Sequence, residues 1–176
     1  MAYLVISTSL NADSKSRVMA REAQKQLSNQ DVEAEWLDLA EIPLPMCDGG
    51  DAYSDANVVD VGTRIEAAEA IIFATPIYNF ACSASAKNLI ELTGPKWSGK
   101  VVGLLCAAGG PRSYMAIMGL ANQLMLDFRC TIVPRFAYAH SAAFVNDVIS
   151  DEDVTGRIHS LANDLIRFQM GLQKSD

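Results

Sequence analysis

The sequence lacks the features that mark several common classes of protein. Its 176 residues include only two histidines and four cysteines. The cysteines, Cys47, Cys82, Cys106 and Cys130, are widely spaced and form neither a Cys-x-x-Cys pair nor a Cys/His cluster. A disulfide framework and a zinc site are therefore not expected. Reduced thiols in a cytoplasmic protein are the simpler interpretation.

An excess of basic residues is also missing. The chain has 14 Lys and Arg against 21 Asp and Glu, a formal net charge of −7. This balance argues against nucleic acid, and against an anionic membrane surface, as the main partner. It still allows a small anion to bind, because a loop of backbone amides can hold phosphate in an acidic protein.

Long apolar runs are absent, so membrane insertion is not expected. The first residues, 1–7, have a very short apolar run and no basic region, so they do not resemble a signal peptide. The chain is nevertheless 50% hydrophobic, which is typical of a packed core. Its length fits one domain spanning 1–176.

Short apolar runs alternate with helical patterns along the chain. The runs predict five strands, at Tyr3–Ser7, Val32–Leu39, Ala70–Thr75, Lys100–Ala107 and Cys130–Tyr138. Four are almost continuously hydrophobic, as expected for strands covered on both faces. The second is more polar and alternates, which is typical of an edge. The pattern predicts a doubly wound α/β fold with a five-stranded parallel sheet in the order 2-1-3-4-5 and helices on both faces.

Helical spacing of apolar residues predicts the connecting elements, at 14–27, 58–68, 83–92, 114–128 and 154–168. The segment 40–53 is different, because its prolines and glycines exclude regular structure. Loops of this length are often lids or binding loops. A surface excursion is the equal alternative.

In such folds the ligand binds beyond the carboxyl ends of the strands, where the strand order reverses. The loops after strands 1, 3 and 4 are 8–15, 76–83 and 107–112. The first loop is rich in hydroxyl groups and precedes a helix, a combination that suits a phosphate dianion. It contains neither Gly-x-Gly-x-x-Gly nor a Walker sequence. Simple N-capping by Ser14 or Asp13 is the alternative.

The second loop begins at Pro76, which is predicted to end its strand. Tyr78 and Asn79 follow, and an aromatic ring beside backbone amides suits a flat heteroaromatic ligand with polar edges. A turn with an anchoring tyrosine is the alternative. In the third loop, Gly109 and Gly110 allow a ligand to lie close to the backbone.

The third loop has a second interpretation. Cys106, Gly109 and Arg112-Ser113 are spaced like the phosphate loop of cysteine phosphatases, with a thiolate nucleophile and an arginine that binds phosphate. Leu105 stands where that motif usually has histidine, and a cysteine at the end of a buried strand is more often a packing residue.

One stretch resembles a known family. Thr75-Pro76-Ile77-Tyr78-Asn79, followed after seven residues by Lys87-Asn88, is similar to the signature of the NADPH-dependent FMN reductase family of flavodoxin-like proteins. The pattern of that family in the first loop, Gly-Ser-Leu-Arg-x-x-Ser-x-Asn-Arg, agrees at Ser9, Leu10, Ser14 and Arg17. Gly109-Gly110 fall where the family has a glycine-rich loop.

The resemblance implies a cofactor, FMN, and an electron donor, NADPH or NADH. It implies phosphate binding by Ser9, Asn11, Ser14, Lys15 and Ser16. It implies that the isoalloxazine ring is bordered by Pro76, Ile77, Tyr78, Asn79 and Phe80, and on another edge by Gly109 and Gly110. Asn11 replaces the arginine of the family and removes a charge, for which Lys15 is the candidate replacement.

The resemblance also implies the reaction. Hydride would pass from nicotinamide to flavin N5 and then to a flavin, quinone or similar small-molecule acceptor. Hydride transfer from nicotinamide to the flavin needs no acid, base or nucleophile from the protein, so no side chain is assigned a catalytic role. Members of the family associate, so a homodimer or homotetramer is expected.

Two other kinds of protein share this fold class. A flavodoxin that only carries electrons would share the fold, but the first loop lacks the Thr-Gly-x-Thr pattern of flavodoxins. A phosphoryl receiver domain needs acidic residues after strands 1 and 3, where Ser7-Thr8-Ser9 and Thr75-Pro76 stand instead, and is excluded.

Overall fold

The computed structural model describes residues 2–173, which form a parallel sheet covered by helices on both faces. The strands are β1 Tyr3–Ser7, β2 Ala34–Asp38, β3 Ala70–Tyr78, β4 Ala81–Cys82, β5 Val101–Ala108, β6 Thr131–Ile132, β7 Ala137–His140, β8 Phe144–Val145 and β9 Val148–Ile149. The α-helices are α1 Lys15–Ser28, α2 Ala56–Ala67, α3 Ala84–Thr93, α4 Met118–Phe128 and α5 Glu152–Gln173. Short 3₁₀ turns lie at Asp51–Ser54, Gly94–Trp97, Pro111–Ile117 and Ser141–Ala143.

The order of the main strands is β2-β1-β3-β5, followed by β6 and β7, which both pair in parallel with β5. The predicted order 2-1-3-4-5 and the flavodoxin-like fold class are confirmed. The hydrophobic patterns also predicted correctly which strands are buried and which strand is partly exposed. β1 is buried along its whole length, whereas β2 lies at the edge and keeps its first three residues partly exposed.

The fifth strand was predicted as one segment, Cys130–Tyr138, and this was wrong in detail. It is divided into β6 and β7. Ile132 pairs with Val102 and Ala137 pairs with Leu105, so a stretch of five residues in this strand runs beside only three residues of β5. The extra residues loop out around Pro134, which has no N–H for the ladder, and Arg135, whose φ of 60° is left-handed.

The third strand was predicted to end before Pro76, and this was also wrong. β3 continues to Tyr78, and Pro76 pairs in parallel with Ala107. Beyond Ala74 the strand has lost β1 as a neighbour, because the pairing of β1 ends at Ser7. A proline is tolerated where one side of a strand has no partner.

Side chains on the two faces of the sheet form two separate cores. On one face, β1, β3 and β5 pack against α2, α3 and α4, with Phe73 and the buried Trp97 in edge-to-face contact at 5.6 Å between ring centroids. On the other face the same strands pack against α1 and α5. The segment predicted as one helix over 114–128 begins as the 3₁₀ turn and becomes α-helical at Met118.

The long loop between β2 and α2 is anchored to the core. Ile42 and Leu44 pack against the first core, and the side-chain amide of Asn88 donates to Pro45 O at 2.9 Å. The same side chain accepts from the Cys47 amide at 2.8 Å. This gives Asn88, from the Lys-Asn pair of the sequence signature, a role in holding the loop.

Gly103 in β5 is the glycine with the least room for a side chain. A Cβ atom there would meet Ile72 Cδ1 at 3.1 Å and Leu161 Cγ at 3.3 Å. Both neighbours are fully buried, so they have little room to move. We therefore expect Gly103→Ala to lower the free energy of unfolding by about 1–2 kcal/mol.

The matched control is Gly156→Ala in α5, where nothing lies within 4 Å of the added carbon. It should raise the stability by up to about 1 kcal/mol, because alanine favours the helix. Urea unfolding followed by circular dichroism measures both. An unchanged midpoint for Gly103→Ala would show that the core between the sheet and α1 and α5 has room for the added carbon.

Candidate functional site

A cleft of about 330 Å³ opens at the carboxyl ends of β1, β3 and β5. Its walls come from the three loops singled out in the sequence. The predicted residues that line it are Ser9, Asn11, Ser14, Lys15, Ser16, Pro76, Ile77, Tyr78 and Gly109. Asp13, Ala107, Ala108 and Ser141 also line it. The volume lies within the range of about 300–1,000 Å³ typical of small-molecule sites.

The other three predicted residues lie beside the cleft and do not line it. Asn79 and Phe80 form the two-residue turn between β3 and β4, and Gly110 follows the lining residue Gly109. Ser141 was missed by the sequence reasoning. It follows β7, so its position at the same edge of the sheet was the available signal.

The hydroxyl groups of the first loop gather at the N-terminus of α1. Ser14 caps the helix, and its Oγ accepts from the Arg17 amide at 3.1 Å and lies 3.0 Å from Ser16 Oγ. The first turn of α1 contains no acidic residue. A helix N-terminus flanked by hydroxyl groups favours an anion, because unpaired amides and the helix dipole both present positive charge there.

The Arg17 side chain stabilises the first loop through the backbone carbonyl oxygens of the loop. Its guanidinium donates to the carbonyl oxygens of Ser9 at 2.9 Å, Asn11 at 2.6 Å and Ala12 at 3.0 Å. The same group pairs with Asp38 at 2.5 Å, and both side chains are largely buried. Arg17 matched the sequence pattern, but no role could be assigned to it until these contacts were seen.

Asn11 stabilises the loop locally. Its side-chain oxygen accepts from the backbone amide of Asp13 at 3.1 Å, and its backbone amide donates to Ser9 Oγ at 3.3 Å. The positive charge expected from Lys15 is already engaged, because its ammonium contacts the Asp147 carboxylate. The cleft therefore relies on neutral donors and the helix terminus more than on free cations.

A second set of hydroxyl groups joins the first loop to the second. Thr8 Oγ1 donates to Ala74 O at 2.9 Å, and Ser85 Oγ donates to Thr8 O at 2.5 Å. Thr75 Oγ1 accepts from the Ser83 amide at 3.2 Å. Because Ser83 is also the N-cap of α3, the network fixes the first loop, the end of β3 and a helix start together.

The turn at Asn79-Phe80 is strained. Both residues have positive φ, 49° and 64°. These angles suit the tight turn of a two-residue hairpin, but a bulky residue such as phenylalanine is rare at positive φ. The Phe80 ring is 58% exposed and Tyr78 is 54% exposed, so burial does not offset the strain. Strain of this kind is often retained at functional sites.

The third loop is fixed from β7. The Tyr138 hydroxyl donates to Gly110 O, and Ser141 Oγ donates to Gly109 O at 2.8 Å. Burial raises the pKa of Tyr138, which keeps its hydroxyl protonated as a donor. Nearby, burial also raises the pKa of Cys82, which pairs with Ile77 across the hairpin.

These features fit FMN. The α1 N-terminus and its serines suit the phosphate, and the exposed Tyr78 ring and the apolar Pro76 and Ile77 suit a flat ring system. Ala107, Ala108 and Gly109 also line the cleft and offer small side chains or none, which leaves room for a ring.

Comparison with known proteins shows the family to which the chain belongs. A family model described as NADPH-dependent FMN reductase matches residues 1–144. An NADPH azoreductase of Bacillus sp. (strain OY1-2) is 26% identical over 167 residues, covering 94% of this chain and 90% of that protein. An FMN-dependent NADPH-azoreductase of Staphylococcus aureus (strain USA300) is 33% identical over 116 residues, which is 62% of each chain.

A solved structure supports the fold. The crystal structure of RosB with a bound riboflavin-5′-phosphate derivative superposes with a TM-score of 0.82, covering 99% of this chain and 81% of that one at 16% identity. The expected cofactors, FMN and a nicotinamide nucleotide, are confirmed with the family. Because the family model covers most of the sequence, the chain belongs to the NADPH-dependent FMN reductase family and is an NAD(P)H-dependent oxidoreductase.

Proposed function

We propose that the cleft binds FMN with its phosphate at the α1 N-terminus, and that the enzyme reduces a flavin, a quinone or a similar small acceptor with NADPH or NADH. The observation that carries the proposal is the convergence of hydroxyl groups at 9–16 and the exposed Tyr78 ring on one cleft. Azo compounds are included among the acceptors, because two relatives are named azoreductases.

Bound FMN would supply the redox chemistry, by accepting a hydride at N5 from the nicotinamide. The protein has three tasks. The Ser14 and Ser16 hydroxyls and the helix terminus bind the phosphate. The hydroxyl network around Thr8 and Thr75 keeps the loops in register. The exposed surface beside Tyr78 and Phe80 would admit the nicotinamide and then the acceptor, because each has to approach the bound flavin from solvent.

We also propose that the chain is a single domain that acts in the cytoplasm as a homodimer or homotetramer. Large apolar side chains next to the cleft-lining segments are exposed, including Leu10 at 65% and Phe80 at 58%. A second copy would cover such a surface.

Among residues 2–173, no helix is both long and apolar enough to cross a membrane. Light scattering measures the molar mass in solution. We expect the mass of a dimer or a tetramer, and the mass of a monomer would contradict the proposed homo-oligomer.

The function is tested by the visible spectrum of the purified protein after loading with FMN, desalting and anaerobic addition of NADPH or NADH. We expect flavin to be retained at least in part and to lose its colour within seconds, with one nucleotide acting faster. Addition of a quinone or an azo dye should then restore the colour. Retained flavin that stays oxidised with both nucleotides would favour the electron-carrier alternative.

The phosphatase alternative is opposed by the position of Cys106. Its side chain is fully buried among the residues that pack against α2, α3 and α4, and burial raises the pKa of its thiol far above the ordinary value. A cysteine phosphatase needs a thiolate that reaches its substrate. Arg112 is exposed, so the two side chains of the motif lie in different environments.

We therefore expect Cys106 to resist alkylation by iodoacetamide at pH 8 in the folded protein and to react once the protein is unfolded. Cys47, which is partly exposed, is the internal control and should react in the folded protein. Peptide mass spectrometry measures both sites. Rapid modification of Cys106 in the folded protein, together with hydrolysis of p-nitrophenyl phosphate that Cys106→Ser abolishes, would reverse this conclusion.

A further inference from the structure

A short hairpin follows the part of the chain that matches the family model. Strands β8 and β9 are joined by Asn146 and Asp147, whose φ values are 48° and 61°. This is the geometry of a tight two-residue turn. Phe144 anchors the hairpin in the core, and the Ser150 amide donates to Ala143 O at 2.9 Å. The family match ends at residue 144, so the turn lies outside the matched residues.

The hairpin reaches back to the phosphate end of the cleft. The Lys15 ammonium contacts the Asp147 carboxylate and lies 5.5 Å from the centre of the Phe144 ring. Among the described residues that line the cleft, Lys15 carries the one positively charged side chain, and Asp13 adds a negative charge. The hairpin thus neutralises the single cation available to a bound phosphate.

Two effects of Asp147 both weaken the binding of a phosphate in the cleft. Its carboxylate competes with the phosphate for the Lys15 ammonium, and its negative charge repels a dianion at the rim of the cleft. Neither effect touches the flavin ring. Arg17 does not compensate, because its guanidinium is held by Asp38 and three carbonyl oxygens behind the loop.

On this basis, and resting on the proposed function, we propose that Asp147 lowers the affinity of the cleft for FMN by weakening the binding of its phosphate. FMN is then exchangeable, and the enzyme favours FMN over riboflavin only modestly. The pair is partly exposed to solvent, with 34% of the Lys15 side chain and 65% of the Asp147 side chain accessible. Exposed pairs are screened, so the effect is moderate.

The test is Asp147→Asn in flavin-free protein, titrated separately with FMN and with riboflavin by quenching of flavin fluorescence. We expect the Kd for FMN to fall about three- to fivefold at low ionic strength. The Kd for riboflavin should not change. Asparagine is well suited to a left-handed turn, so the hairpin is preserved. The gain should shrink in 1 M salt, where charges are screened within about 3 Å.

Two controls isolate the contact. Asp127→Asn in α4 makes the same change in net charge on an exposed residue that does not line the cleft, and it should leave both constants unchanged. In a Lys15→Gln background, Asp147→Asn should give a smaller gain, because the competition for the ammonium has been removed.

Each result has a distinct meaning. Unchanged or weaker binding of FMN by Asp147→Asn would overturn the inference, since it would show that Asp147 positions Lys15 for the phosphate or has no influence. Equal tightening of FMN and riboflavin would overturn it as well, because the effect would not act through the phosphate. If the wild-type protein quenches neither flavin, the proposed function fails, and this inference fails with it.

Discussion

The buried pair of Arg17 and Asp38 is the contact on which the geometry of the cleft depends. Arg17 binds three successive parts of the first loop through their carbonyl oxygens, while Asp38, at the end of the edge strand, holds the guanidinium in place. Removing one partner would leave a buried charge uncompensated, which typically costs about 3–5 kcal/mol. A polar loop without glycine therefore keeps one conformation, and its hydroxyl groups are ready for an anion.

The remainder of the site is positioned by hydroxyl groups in place of charges. Thr8, Thr75, Ser83 and Ser85 connect the first loop to β3 and to the start of α3. Tyr138 and Ser141 fix the glycine loop from the last part of the sheet. A flavin enzyme suits such a framework, because the cofactor carries the chemistry and the protein needs mainly to hold and expose it. The protein can thus be acidic overall and still bind an anionic cofactor.

Much of this arrangement could be predicted from sequence, and the failures have physical causes. The continuous apolar runs predicted the sheet, the polar second strand favoured its order, and the loops after three strands predicted the cleft. The prediction that Pro76 ends its strand was wrong, because a proline ends a strand only where its missing N–H is needed for a ladder. The interruption near Pro134 depends on register with β5, which a single sequence does not reveal. Contacts between distant residues, such as Lys15 with Asp147, need the folded chain.

The central claim is that the phosphate of FMN lies at the first loop and its ring beside the end of β3. The most direct measurement is the backbone amide NMR spectrum during titration with FMN and, separately, with riboflavin. We predict that the amides of residues 9–16 shift strongly with FMN and weakly with riboflavin, whereas those of Ile77 and Tyr78 shift with both. Equal shifts at 9–16 with the two flavins, or FMN shifts confined to another surface, would contradict the account.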